Sequence, residues 1–133
     1  MMNLETLRNQ FIMEDDALKV RLEPLVTKAL HFCKIDKAGQ VLITNPKLAS
    51  LDQVKLVLTA RMIASALDPT IKEAVLATEI AKCTGLPANQ VRARATDAIR
   101  AKFAESLGLG IYKAIPHRIE GFLDDLSSRY NGK

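Results

Sequence analysis

Residues 79–103 read EIAKCTGLPANQVRARATDAIRAKF. Gly85 can take the positive φ of a tight turn and so stops a helix over 79–84, for which Thr78 is a fitting N-cap. Pro87 follows at a place where a new helix can begin without losing a hydrogen bond. The pattern predicts a long second helix running to about Ser106 and broken by Gly108 and Gly110. Projected at about 100° per residue, Val91, Ala95, Ala98 and Ile99 form one narrow stripe. Its small side chains would let the helix lie close to a neighbour. Asn89, Ala93, Thr96, Asp97 and Arg100 face away from that stripe, and Arg92 and Arg94 flank it.

Within it, residues 82–102 hold the whole formal net charge of +4. Lys82, Arg92, Arg94, Arg100 and Lys102 stand against the single acid Asp97, while cations and acids cancel over 1–34, 35–81 and 103–133. Concentrating the excess charge on two helices builds a local field that attracts polyanions, nucleic acid above all.

Outward from this core, 3–34 reads as helix, with Leu4, Leu7 and Phe11 and then Leu18, Leu22, Leu25, Ala29 and Phe32 on one face, and a kink expected near Pro24. Leu4, Phe11, Leu18, Leu25 and Phe32 fall seven apart, the spacing of a seam, although Glu14, Arg21 and Lys28 break the companion positions. A short β-branched run over 40–44 predicts a strand. Ser50 and Gln53 have capping-box spacing ahead of a helix over 51–67 that buries Val54, Val57, Leu58 and Met62. Residues 71–76 fit a helical turn or a strand equally. Residues 111–115 predict a second strand, and Pro116 opens a last helix with Ile119, Phe122, Leu123 and Leu126 inward.

The 79–103 pattern resembles the helix-turn-helix of the winged-helix DNA-binding superfamily, in the form found in sigma-factor DNA-binding domains. Ile80 and the small Ala81, Gly85 at the turn, Leu86 plugging it and Val91 packing back carry the resemblance. It implies a mainly α fold: a winged-helix-like helix-turn-helix domain over 35–133, a minor β component, and an N-terminal helical extension over 1–34 that is a candidate dimerisation element. It implies double-stranded DNA as partner and transcription regulation as role. The base-reading positions then fall on Ala88, Asn89, Arg92, Ala93 and Thr96, since Asn pairs with adenine, Arg with guanine, and an Ala methyl meets thymine. Lys82, Arg94, Arg100 and Lys102 fall to phosphate, with Lys113 as the one cation a wing would offer. Asp97 would repel phosphate on that face unless Arg94 or Arg100 pairs with it. The alternative is a protein–protein adaptor using the same helices without nucleic acid.

Enzymatic chemistry is not expected. His31 and His117 lack partners at catalytic or metal-ligand spacing, and Glu14-Asp15-Asp16 and Asp124-Asp125 lack a companion His or Gly-rich loop. Gly108-Leu109-Gly110 is no phosphate loop. No cofactor or metal is therefore expected. Cys33 and Cys83, far apart, read as reduced thiols. No apolar run reaches membrane-spanning length, so the expected setting is the cytoplasm, with no membrane partner.

Overall fold

The computed structural model describes Leu4 and residues 22–130. Its centre is helix α2 (Ser50–Leu67), buried on nearly all sides from Val54 to Ala64 rather than on the single face expected. Around it pack α1 (Leu22–Ala29), strands β1 (Cys33–Ile35) and β2 (Val41–Ile43), helices α3 (Ala77–Thr84) and α4 (Ala88–Arg100), and strand β5 (Ile111–Ala114). Strands β3 (Val75–Leu76) and β4 (Ala104–Gly108) flank β5, and α5 (Ile119–Tyr130) follows a 3-10 turn at Pro116–Arg118.

The expected mainly α class is overturned. Two antiparallel sheets stand beside the five described helices, one of order β1-β2 and one of order β3-β5-β4. Cys33, placed on a helix by its apolar neighbours, instead pairs with Ile43, and Ile35 with Val41. Val75 pairs with Tyr112 and Leu76 with Ile111, which settles 71–76 in favour of a strand at its end. The largest correction is the end of α4. The helix stops at Arg100 because Lys102 adopts the left-handed conformation (φ 62°). Its N–H donates to Ile99 O (2.9 Å) and that of Phe103 to Ala98 O (3.0 Å), the paired bonds of a Schellman cap with lysine where glycine usually sits. Phe103 is then buried edge-on against Phe122 (5.1 Å between centroids) under the Lys55 ammonium, and the chain leaves as a strand.

Two caps also differ from expectation. The residue before α2 is Ala49, and Gln53 Nε2 reaches back to Leu48 O (2.8 Å) instead of meeting Ser50. Leu76, not Thr78, precedes α3. Glu79 Oε1 accepts the Leu76 N–H (3.2 Å), and leucine has no acceptor to return, so only half a capping box forms. Pro24 lies near the start of α1 as described.

Residues 22–34 contribute Leu25, Ala29, Phe32 and Cys33 to the common core. Leu25 and Phe32 are thereby buried within the fold itself, which removes two positions of the heptad seam. Leu4 is exposed; Leu7, Phe11, Leu18 and the Glu14-Asp15-Asp16 triplet lie outside the described residues. Lys28 binds Glu120 (3.0 Å) and Asp124 (2.9 Å), joining α1 to α5.

The far end of α5 is tied to α2 by a buried carboxylate. Asp52 accepts two 2.8 Å bonds from the Arg129 guanidinium and one of 3.0 Å from the Tyr130 hydroxyl. Burial alone would raise the Asp52 pKa, but these bonds and the Arg129 charge outweigh it and hold the carboxyl below its ordinary value. Its folded pKa is depressed, so its contribution is full above the unfolded value of about 4 and is lost as pH falls through the folded one. Asp52→Ala is expected to cost about 2 kcal/mol in urea unfolding at neutral pH, and the deficit should shrink on acidification below pH about 4. Lys102→Gly should stabilise the fold by about 1 kcal/mol, because glycine carries no left-handed penalty; a lowered unfolding midpoint would contradict that conformation.

Candidate nucleic-acid interface

Helices α3 and α4 are held as a unit by their turn. Gly85, at the end of α3, has φ 75° and donates to Ala81 O (2.8 Å). No atom lies within 4 Å of where a Cβ would stand, so its requirement is conformational, not steric. The Thr84 hydroxyl donates to Ile80 O (2.8 Å) and accepts the Leu86 N–H (3.2 Å), which fixes the exit from the turn. Pro87 precedes α4 in extended conformation, and its carbonyl accepts the Val91 N–H (3.0 Å).

Val91, Ala95 and Ala98 are fully buried and Ile99 half-buried, the inward stripe read from the sequence. Alanine at 95 and 98 brings α4 close to α2. The opposite face exposes Ala88, Asn89, Arg92, Ala93, Thr96 and Arg100. Asn89 Oδ1 accepts the Gln90 N–H (2.9 Å), leaving the side-chain amide N–H groups free to donate. The Thr96 hydroxyl donates to Arg92 O (2.9 Å), so it faces outward as an acceptor.

The cations divide into two sets. Arg94 Nε lies 2.9 Å from Asp97 Oδ2, an ion pair without the angle of a hydrogen bond, so the acid on this face is neutralised by its own neighbour. Lys113 lies on β5 between Glu73 (3.2 Å) and Glu105 (3.4 Å). Burial disfavours its charge, but Glu73 and then Glu105 outweigh that and hold its pKa above the ordinary lysine value. Among the described residues Lys82, Arg92, Arg100 and Lys102 form no ion pair, and all four are exposed. The structure therefore places Arg94 and Lys113 among neighbouring acids, and Lys82, Arg92, Arg100 and Lys102 free in solvent.

Beyond α4, strands β4 and β5 form an antiparallel hairpin, in register from Ala104↔Ala114 to Ser106↔Tyr112. Its tip is apolar, with Leu107 half-exposed and Leu109 fully so. The thiols are quiet: burial pushes Cys33 up to about 12, and burial likewise raises Cys83. His31 and His117 are exposed, and no group of three or more metal-ligating side chains occurs among the described residues.

Arg61 is the functional support that sequence reading missed. Its side chain is 7% exposed on α2. It donates from Nε to Lys72 O (2.9 Å), from Nη2 to Ala74 O (3.2 Å) and from Nη1 to Glu79 Oε2 (2.8 Å). Burial would raise the Glu79 pKa, but the Arg61 and Leu76 bonds and the charges of Arg61 and Lys82 lower it on balance. Gly39, at φ 89°, closes over the guanidinium: a Cβ there would stand 3.4 Å from Arg61 Nε and 3.2 Å from Ile71 Cγ2. The sequence signal was a single charged residue in the run from Leu56 to Leu67.

No protein-family model, no curated protein and no solved structure matches the chain. No described helix is long and apolar enough to cross a membrane.

Arg61→Met should cost about 2 kcal/mol in urea unfolding, since it leaves two carbonyls and a carboxylate without their donor. Gly39→Ala should also destabilise, through both its backbone conformation and the crowding at Arg61. Near-neutral results for both would remove Arg61 as the support of α3.

Proposed function

We propose that this chain is a cytoplasmic DNA-binding protein that inserts α4 into the major groove and acts in transcription regulation. The observation that carries the reading is the division of charge on α3 and α4. The only excess charge in the molecule resolves into four unpaired, exposed cations, and these bracket an outward face bearing Asn89, Arg92, Ala93 and Thr96. In this reading Ala88, Asn89, Arg92, Ala93 and Thr96 meet base edges. Lys82, on the supporting helix, and Arg100 and Lys102, at the far end of α4, meet phosphates on either side. The Arg94–Asp97 pair supports it by removing the one local source of repulsion. Lys113 no longer counts as a phosphate ligand, because two carboxylates already hold it.

Three phosphate neutralisations predict that log affinity falls with log salt at a slope on the order of −3. Electrophoretic shifts with random duplex DNA across a salt series measure it. A flat salt dependence, or no retention at low salt, would sink the proposal. Lys102→Gly should lower the slope by about 1 while raising stability. Replacing Arg92, Arg94 and Arg100 together by Ala should abolish the shift with the fold retained. Unchanged DNA affinity in that variant would favour the protein-adaptor reading of the same helices.

A further inference from the structure

The first turn of α4 decides which bases its outward side chains can meet. N–H groups in the first turn of a helix have no partner within it, and Pro87, the residue before α4, makes no side-chain cap. Asn89 supplies one missing acceptor: its Oδ1 accepts the Gln90 N–H at 2.9 Å. The carboxamide oxygen is thereby turned onto the helix backbone. What Asn89 presents outward is its NH2 group, two donors and no acceptor. Arg92 is exposed and forms no ion pair among the described residues, and it too presents only donors. The Thr96 hydroxyl gives its proton to Arg92 O (2.9 Å) and presents only an acceptor.

In the major groove a guanine edge carries two acceptors side by side, N7 and O6. Adenine and thymine each carry one, and adenine sets a donor beside it. A two-pronged contact from asparagine to adenine therefore needs Oδ1 facing the base, and in α4 that oxygen is engaged. An acceptor such as Thr96 suits the amine of cytosine or of adenine alike, so the choice falls to Asn89 and Arg92. We propose that α4 selects G·C pairs, with Asn89 donating to one guanine and Arg92 to another. Guanine at Asn89, which rests on the proposed entry of α4 into the major groove, replaces the adenine suggested by the sequence.

Selection of bound duplexes from a pool randomised over one helical turn, at moderate salt, tests it. Guanine should be enriched at two positions, by about tenfold over adenine at each. Asn89→Asp keeps an acceptor for the Gln90 N–H and places an acid where a helix N-terminus favours one, so α4 should start unchanged. Its outward groups become acceptors only, and the preference at its position should change from guanine to cytosine. The added charge weakens every site alike, so the readout is the ratio of affinities for guanine and cytosine. Arg92→Ala should relax the second position without exchanging one base for another. Adenine at the Asn89 position, bound DNA with no base preference, or the same bases selected by Asn89→Asp would overturn the G·C assignment but not DNA binding. No retention of any duplex at low salt would overturn DNA binding by α4, and the assignment with it.

Discussion

One buried guanidinium organises the molecule. Arg61 sits in the middle of the most enclosed helix, and it gathers backbone carbonyls from the segment leading into β3 and the carboxylate that caps α3. A charge so enclosed is tolerated only when its donors are met, and here each of its three nitrogens donates a bond. That requirement fixes where β3 enters and at what angle α3 starts. α4 is then carried to its place by the Gly85 turn and the alanine stripe. The exposed face of α4 is thus set by a side chain on the opposite side of α3.

Ion pairing sorts the remaining charges by position. Lys28, Arg94, Lys113 and Arg129 are each held by one or two acids, and each such pair joins elements or quiets a local acid. At partly exposed sites these pairs add little stability singly. Their larger effect is electrostatic: each pair cancels the charge of the cation it holds. What survives on α3 and α4 is a compact set of cations, and a compact set gives a steeper field than the same charge spread over the surface.

The α3–turn–α4 unit was legible because its determinants are local: one glycine for the turn, one proline before the helix, and small residues at helical spacing. The end of α4 was not. Ala101, Lys102 and the run AESL favour helix or oppose it only weakly, so nothing local announces a stop before Gly108. Burial of Phe103 against Phe122 and pairing of β4 with β5 override that preference and force Lys102 into a conformation lysine disfavours. β1 was hidden in the same way, because Phe32 and Cys33 continue a helical apolar face until pairing with β2 takes them. Gly39 could be read as a turn residue, but not as the lid on Arg61, since that depends on a contact between segments far apart in the chain.

The missed strand changes how the surface should be read. With 101–106 as helix, Lys102 and Lys113 would extend one positive face. With β4 in place, Glu105 lies across from Lys113 and cancels it, and the last unpaired cation of the α3–α4 unit is Lys102, at the cap where α4 ends. The strained lysine therefore marks a boundary. Positive, polar surface runs up to it along α4, and neutral surface with an apolar tip begins beyond it.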